Sequence, residues 1–198
     1  MLKDSRIGKT AQDISGRLLK NFPLSPNQVT LLALLLAFVG FFFLATKQFA
    51  IALVLFALSG FCDMADGVLA RARNQVSAKG AFIDGITDRL VEFLLLFGLM
   101  LLPWPDFMLP GWMWLVMLLF FGTCMTSFVT AYADHRKLDV SKAPSGILSR
   151  PERMLLYLAI LAFLIYGMAV WAVGTLVFAT LLSIGTFCER TIYFVRNG

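Results

Sequence analysis

The sequence predicts an all-α integral membrane protein with six transmembrane helices and an N-terminal interfacial amphipathic helix. Hydrophobic residues make up 59% of the 198-residue chain, and the mean hydropathy is +0.80, whereas soluble domains are about 45–50% apolar. Apolar stretches of about 20 residues, the length of one crossing, recur along the chain. Basic residues fall in alternate segments between these stretches, which is typical of a multi-pass protein.

The first predicted element is a juxtamembrane helix within residues 1–24. Apolar side chains recur there at helical spacing, with lysines and arginines between them, which is typical of a helix lying on the bilayer surface. Pro23 and Pro26 end this helix before the first crossing. The first 20 residues lack the apolar core of a cleavable signal peptide, so we expect none. We expect residues 1–198 to form a single domain.

Six apolar segments of spanning length come after the juxtamembrane helix. They are residues 29–46, 49–69, 81–102, 112–133, 154–166 with a few residues beyond it, and 170–187 with its tail. The last two are poorly separated, because no charged residue lies between positions 154 and 187. Gly167 and Gly174 are the candidate break points between them.

The distribution of basic residues predicts the topology. Of the 17 lysines and arginines, five precede residue 22, three lie between 71 and 79, and five lie between 136 and 153. With six crossings these segments share one side, which the positive-inside rule makes cytoplasmic. We therefore expect a multi-pass protein of the cell membrane with both termini cytoplasmic. The net charge of +5 then reflects topology and attraction to anionic headgroups or phosphates, and no nucleic-acid partner is expected.

Four aspartates stand where the second and third predicted crossings approach each other. Asp63 and Asp66 are three residues apart, and Asp84 and Asp88 are four apart, so each pair shares one helix face. The two helices are consecutive and antiparallel, so both pairs lie at one depth. Carboxylates clustered in low dielectric repel one another unless cations neutralise them. Hard oxygen ligands favour Mg²⁺, Mn²⁺ or Ca²⁺, and four of them suit two ions.

The residues beside the aspartates suit a phosphate ligand. Gly67 and Gly80 leave room for a bulky group to approach the backbone, and Ala70 is small. Arg71 supplies a guanidinium near the membrane surface, suited to phosphate. The alternative is a purely structural role, in which the aspartates pair with nearby arginines, namely Arg71, Arg73 or Arg89.

Residues 63–88 have the form D-x-x-D-G-x-x-A-R, eight residues, then G-x-x-x-D-x-x-x-D. This resembles the signature of CDP-alcohol phosphatidyltransferases, and all eight fixed positions match: Asp63, Asp66, Gly67, Ala70, Arg71, Gly80, Asp84 and Asp88. The resemblance extends to the whole chain, because family members have about 200 residues, six transmembrane helices and an N-terminal juxtamembrane helix. It also implies a homodimer.

The resemblance implies a reaction in phospholipid biosynthesis. A CDP-linked lipid gives its phosphatidyl or archaetidyl group to an alcohol, and CMP leaves. Two Mg²⁺ or Mn²⁺ ions are held by the four aspartates, and Asp88 also takes the proton of the acceptor hydroxyl. The metals would stabilise departing CMP while the carboxylate activates a weak nucleophile.

The resemblance also assigns residues to the CDP-linked lipid. The segment "SPNQVT" is similar to a family motif that lines the nucleotide pocket, and Ser77 stands where relatives carry serine or threonine. The predicted set is Asn27, Gln28, Val29, Thr30, Gly67, Ala70, Arg71, Ser77 and Gly80. Alternatively, Pro26 and Asn27 mark nothing more than a helix start.

The acceptor site rests on a further resemblance. "GILSRPERM", residues 146–154, is similar to a segment of phosphatidylinositol-phosphate and archaetidylinositol-phosphate synthases, in which Arg153 and Arg190 would bind the acceptor's phosphate. The lysine that relatives carry is absent, since Thr130 replaces it and Tyr132 replaces an arginine. Lys137 or Lys142 is a candidate substitute.

The acceptor therefore stays open between two phosphorylated polyols. We favour inositol phosphate, with glycerol 3-phosphate as the alternative, and the lipid can be diacyl or an archaeal ether. Arg150 and Arg153 can also be charges that only set topology. Intramembrane prenyltransferases are rivals that use aspartate pairs with Mg²⁺, but they are longer. A cation transporter would spread its polar residues through several spans and show an inverted repeat, which this sequence lacks.

Overall fold

The computed structural model describes residues 23–197, which are helical throughout apart from the connecting loops. Six long helices succeed one another: α1, Pro26–Ala45; α2, Phe49–Ala72; α3, Ala78–Met100; α4, Gly111–His135; α5, Arg150–Ile165; and α6, Ala169–Asn197. The juxtamembrane helix predicted within residues 1–24 lies outside the described residues, apart from its last two positions.

Four of the six helices, α1, α2, α4 and α6, are long and apolar enough to cross a membrane. The other two differ from them for identifiable reasons. α3 carries several charged side chains in its first half, and α5 has only 16 residues. The six helices thus coincide with the six predicted segments, whereas the count of six crossings remains a prediction.

Two helix starts share one capping arrangement. α1 comes after Ser25 and α5 after Ser149, and each has a proline in its first turn. Gln28 accepts from the backbone N–H of Ser25 at 2.8 Å, and Glu152 accepts from that of Ser149 at 2.6 Å. These reciprocal bonds satisfy helix-end donors that would otherwise lack partners. They fix the first turn of α5, which carries two arginines of the candidate site.

The break between the last two helices is at Gly167. This residue has a φ of +68°, a conformation that glycine adopts without the steric penalty of a side chain. Gly174, the other predicted break point, lies inside α6. The chain therefore turns immediately after α5, and α6 begins at Ala169, before Gly174.

The hydrophobic core lies at the end of the bundle away from the aspartates. Its fully buried members come from the second half of α3, the first half of α4 and the facing parts of the other helices, including Phe56, Leu95, Leu99, Leu115 and Leu161. The aspartate-bearing halves of α2 and α3 thus stand at the opposite end. One end of the bundle is packed with apolar side chains, and the other holds the charges.

α1 has the two faces expected of a helix between protein and lipid. Its inner face is built from small residues such as Ala33, Ala37 and Gly40, which let neighbouring helices approach closely. Its outer face exposes large apolar side chains, including Leu35 and Phe42. Exposed apolar surface of this extent is expected where lipid is the solvent. The protein is therefore an integral membrane protein.

Candidate functional site

Three carboxylates from two helices converge at the charged end of the bundle. Asp63 of α2 and Asp84 and Asp88 of α3 each offer an oxygen, and these three oxygens lie within 4.8 Å of one another. The side chain of Asp63 is 22% exposed and that of Asp88 is 13% exposed, so the cluster lies near the surface of the bundle without being open to it. Oxygen ligands grouped in this way suit a hard divalent cation such as Mg²⁺ or Mn²⁺. The donor set therefore fits a divalent metal.

The fourth aspartate of the motif faces another helix. Asp66 is 5% exposed and accepts a hydrogen bond from the hydroxyl of Thr30 in α1. The three-residue spacing places Asp66 one turn from Asp63 on the same helix, but it lies outside the group of three converging oxygens. Asp66 thus connects the carboxylate cluster to α1.

A cavity of about 180 Å³ opens beside the cluster. Seven of the nine residues predicted to bind the CDP-linked lipid line it: Asn27, Thr30, Gly67, Ala70, Arg71, Ser77 and Gly80. The other two do not. Gln28 closes the capping box of α1 with its side chain, and Val29 is buried at 4% exposure. The cavity therefore gathers residues from α1, α2, the loop after α2 and α3.

Local geometry shapes the wall of this cavity. Ser77 is the N-cap of α3 and accepts from the backbone N–H of Gly80 at 3.0 Å. A Cβ at Gly80 would lie 3.1 Å from Ser77 Oγ and 3.5 Å from Asn27 Oδ1, so the absence of a side chain lets α1 and α3 approach. A Cβ at Gly67 would lie 3.5 Å from Nη1 of Arg71, because that guanidinium lies back over the glycine. Arg71 therefore places its positive charge over the cavity.

Asp84 belongs both to the cluster and to the cavity. Asp66 also lines the cavity, between Thr30 and Gly67. A ligand held in this cavity would thus lie directly beside any cation bound at the cluster. This arrangement suits a ligand whose polar group fills the cavity and whose phosphate lies beside the carboxylate cluster.

Arg150, at the start of α5, inserts its guanidinium among the carboxylates. Its Nη1 lies 2.8 Å from Oδ2 of Asp63 and 2.7 Å from Oδ1 of Asp88. The sequence offered Arg150 only as a charge that sets topology. The residue stands in the same "GILSRPERM" segment as Arg153, but nothing in the sequence indicates a contact across 87 positions with Asp63.

A second buried ion pair lies behind the first. Glu92 of α3 is 2% exposed and accepts from Nη2 of Arg153 at 3.0 and 3.3 Å. Thr123 of α4 donates to the same glutamate at 2.6 Å. Glu92 was not among the residues predicted from the sequence, although a signal was present. It stands four residues after Asp88, as Asp88 stands four after Asp84, so the three acids share one face of α3.

The two predicted acceptor-site arginines have different environments. Arg153 is 5% exposed and paired with Glu92, whereas Arg190 is half-buried and belongs to no ion pair within residues 23–197. Arg190 donates to the backbone oxygens of Thr126 and Ser145, at 3.0 and 2.7 Å. The structure brings these two arginines to one region without a shared acidic partner.

Thr130, which stands where relatives carry a lysine, contacts Arg190. Its hydroxyl accepts from Nη1 of Arg190 at 3.3 Å. This contact comes from α4, whose middle part, Leu118–Met125, is π-helical. Short π-helical segments occur often at functional sites, and here the segment also carries Thr123. Tyr132, which replaces an arginine of the relatives, accepts from Arg136 at 2.7 Å.

Residues 23–184 match the profile of one protein family, described as CDP-alcohol phosphatidyltransferase. Among similar proteins, the archaetidylinositol phosphate synthase of Pyrococcus horikoshii is 34% identical over 96 residues, covering 48% of this chain and 47% of that protein. The bifunctional IPC transferase and DIPP synthase of Thermococcus kodakarensis is 30% identical over 177 residues, covering 86% of this chain and 39% of that protein. The chain thus spans less than half the length of either relative.

Solved structures share the fold. The phosphatidylinositol phosphate synthase of Mycobacterium tuberculosis, solved with CDP-DAG bound, superimposes with a TM-score of 0.75 over 94% of each chain, at 21% identity. The same protein in complex with manganese and citrate gives a TM-score of 0.77 over 93% of this chain and 88% of that one, at 20% identity. The likeness extends over nearly the whole of both chains.

Proposed function

The chain belongs to the CDP-alcohol phosphatidyltransferase family, and from this premise we propose that it transfers a phosphatidyl or archaetidyl group from a CDP-linked lipid to a phosphorylated polyol. The favoured acceptor is inositol phosphate, and CMP is the leaving group. The observation that carries this proposal is the position of Asp84 in both the carboxylate cluster and the adjoining cavity. A nucleotide in that cavity would have its diphosphate beside the carboxylates.

In the proposed reaction the hydroxyl oxygen of the acceptor forms a bond to the lipid-side phosphorus. The bond between that phosphorus and the oxygen of CMP breaks, and CMP leaves with the electron pair. The carboxylate of Asp88 takes the hydroxyl proton. Asn27, Thr30 and Ser77 would orient the nucleotide, and Arg71 would lie near its phosphates. Such contacts would hold the reacting groups in line, and positioning of this kind supplies much of the rate of phosphoryl transfer.

We propose that Asp63, Asp66, Asp84 and Asp88 hold two divalent ions, Mg²⁺ or Mn²⁺. When bound, such ions spread the negative charge of the diphosphate and stabilise the leaving CMP. The three converging oxygens support this assignment, and Asp66 would reach a second ion from the side of the cavity. The Mycobacterium tuberculosis protein that shares this fold was solved in complex with manganese.

Arg153 and Arg190 are the proposed contacts of the acceptor's phosphate. Their Nε atoms are buried without a hydrogen-bond partner within residues 23–197, so each guanidinium keeps a donor for a ligand. Arg190 has no paired carboxylate in that range either, which leaves its charge available. Charge-assisted bonds from two guanidiniums would fix the orientation of a phosphate. Arg190 donates to the backbone oxygen of Ser145, the residue immediately before the "GILSRPERM" segment, so this segment borders the region.

The proposal extends to topology and assembly. We propose six crossings with both termini cytoplasmic, because the three basic segments then share the cytoplasmic side. The carboxylate cluster would face that side, where CMP and a soluble acceptor are available. We also propose that residues 1–198 form a single domain and that the protein is a homodimer, as the family resemblance implies.

The proposed function is tested by CMP release from purified protein supplied with Mg²⁺ and a CDP-linked lipid. A panel of acceptors, comprising inositol phosphate, glycerol 3-phosphate, free inositol and serine, separates the possibilities. We expect turnover with inositol phosphate and little with free inositol or serine. If glycerol 3-phosphate is preferred, the proposed reaction stands and glycerol 3-phosphate takes the place of inositol phosphate as the acceptor. Efficient use of a non-phosphorylated alcohol would exclude a phosphorylated polyol.

A further inference from the structure

We propose that Arg150 is an internal counter-cation of the carboxylate cluster, and that divalent ions bind at Asp63 and Asp88 only after its guanidinium withdraws. The inference rests on the metal binding included in the proposed function. It adds a residue that sets how tightly ions are held, separate from the residues that hold them.

Arg150 contacts two aspartates on two different helices. A single nitrogen, Nη1, lies 2.8 Å from Asp63 Oδ2 and 2.7 Å from Asp88 Oδ1, so it bridges α2 and α3. The contact with Asp63 is a charge-assisted hydrogen bond, and the contact with Asp88 is a close ion pair without hydrogen-bond geometry. The bridging nitrogen therefore stands between two of the three carboxylates whose oxygens converge.

A guanidinium and a divalent ion would compete for these two carboxylate oxygens. Mg²⁺ lies about 2.0–2.1 Å from a carboxylate oxygen. An ion bound to either of the two oxygens would thus stand within roughly 5 Å of Nη1, and closer if it bridged both. A double and a single positive charge at that separation, away from bulk water, repel strongly. The guanidinium and the ion would also have to share the lone pairs of the same carboxylate oxygens.

The side chain of Arg150 can move away from the aspartates without disturbing the fold. Its backbone begins α5, and the Ser149–Glu152 capping box holds that turn in place. Its side chain is 23% exposed, so rotation of the side chain alone moves the charge away. Glu92 Oε1 lies 4.0 Å from Nε of Arg150, but that oxygen already accepts from Arg153, so the guanidinium would withdraw towards solvent. Withdrawal is therefore a rotamer change of one partly exposed side chain.

The competing interpretation is a purely structural ion pair, in which Arg150 only links α5 to α2 and α3. The two interpretations differ in the sign of one effect. If Arg150 competes with the ions, removing its charge strengthens metal binding. If it is structural, removing it weakens the whole site, metal binding included.

The experiment uses the full chain in detergent, with Mn²⁺ as the probe. Mn²⁺ affinity is measured by the loss of the free-ion EPR signal, and thermal unfolding is followed with and without Mn²⁺, so neither readout requires turnover. The variants are Arg150→Gln, which removes the charge, and Arg150→Lys, which keeps it. Lys47→Gln is the matched control, since it removes one positive charge from an exposed loop at the far end of α2.

We expect Arg150→Gln to bind Mn²⁺ at least about tenfold more tightly than the wild type, the shift produced when only a tenth of the molecules have the site free. Without Mn²⁺ this variant should unfold at a lower temperature than the wild type, because the aspartates lose their nearest counter-charge and keep only Arg89, whose Nη1 lies 3.7 Å from Asp88 Oδ2. Saturating Mn²⁺ should remove most of that deficit. Arg150→Lys should bind Mn²⁺ a few-fold more tightly than the wild type, because an ammonium holds the two aspartates less well than a guanidinium, and Lys47→Gln should match the wild type.

Equal or weaker Mn²⁺ binding by Arg150→Gln, with the same deficit in unfolding temperature with and without Mn²⁺, would overturn the inference. If Arg150→Gln does not fold, Arg150→Lys decides: a compact ammonium should hold the two aspartates less well than a guanidinium. Mn²⁺ affinity equal to or below that of the wild type in this variant contradicts competition. Absence of Mn²⁺ binding by the wild type itself would instead contradict the metal site of the proposed function.

Discussion

Arg153 and Glu92 form an ion pair inside the helical bundle, with the arginine Nη2 3.0 Å from the glutamate Oε1 and less than a tenth of either side chain exposed. The charge of Arg153 is therefore balanced within the protein, and Thr123 satisfies the second glutamate oxygen. A buried pair of this kind costs desolvation energy, and removal of one partner leaves the other charge uncompensated. Glu92 thus fixes the position of Arg153, which is a proposed contact of the acceptor's phosphate.

Replacement of Glu92 by glutamine should lower stability and weaken the acceptor site together. We expect a loss of about 3–5 kcal/mol in the free energy of unfolding, the usual effect of removing one partner of a buried ion pair. The KM for the acceptor should rise more than the KM for the CDP-linked lipid, because Arg153 loses its fixed orientation. Thermal unfolding and steady-state kinetics measure the two effects. Asp134→Asn, at an exposed position near the end of α4, is the control, and equal stability of both variants would show that Glu92 carries no such role.

Replacement of Asp88 by asparagine should abolish turnover. An amide keeps an oxygen for a metal but cannot take the hydroxyl proton, and loss of a general base lowers the rate by about 10²–10⁴-fold. Binding of the CDP-linked lipid should persist, because Asp88 does not line the cavity. CMP release and lipid binding are the measurements. Asp134→Asn, exposed near the end of α4, should leave both unchanged, and activity of Asp88→Asn above a few per cent of wild type would count against the role of the base.

Removal of divalent ions should stop the reaction, and Mg²⁺ or Mn²⁺ should restore it. A diphosphate beside the converging carboxylates would be repelled by them, and divalent ions bound there would neutralise both groups. Asp63→Ala and Asp66→Ala should each raise the metal concentration needed for half-maximal activity or eliminate activity. The assay is CMP release against metal concentration after EDTA treatment. Normal turnover of metal-free protein would exclude the two-ion scheme.

Replacement of Arg190 by alanine should raise the acceptor KM roughly ten- to hundredfold, the loss of one charge-assisted contact. Arg190 has no ion-pair partner within residues 23–197 but donates to the backbone oxygens of Thr126 and Ser145, so this variant should lower stability by about 1–3 kcal/mol. Arg153→Ala should raise the same KM and destabilise the protein more, because Glu92 would stay buried without its partner. Kinetics with each substrate varied in turn separate these outcomes. Wild-type acceptor KM in both variants would remove the phosphate-binding role.

Those features of the site that depend on spacing within one helix were accessible from the sequence. Asp63 with Asp66, and Asp84 with Asp88, share helix faces because three and four residues make about one turn. The structure brings three of the four together, and Asp66 turns towards Thr30 instead. Apolar length likewise predicted the helix positions, and of the two candidate break points, Gly167 and Gly174, only Gly167 lies between helices.

The features that could not be predicted are contacts between helices distant in the chain. Arg150 reaches Asp63 across 87 positions, and Glu92 reaches Arg153 across 61. Nothing in local spacing tells which of several arginines will meet which acid, because that depends on how α5 packs against α2 and α3. The π-helical segment Leu118–Met125 has no local signal either. It contains Thr123, whose hydroxyl donates to Glu92.

The shortness of α5 has a consequence for the lipid around the protein. Its 16 residues give a length of about 24 Å at 1.5 Å per residue, whereas the hydrocarbon layer is about 30 Å thick. On the proposed topology this hydrophobic mismatch draws the headgroups inward beside α5. Arg150 and Arg153 stand in its first turn, so the resulting depression in the membrane surface lies over the carboxylates. A water-soluble acceptor and a membrane-embedded donor would then meet at one depth, without either crossing the full headgroup layer.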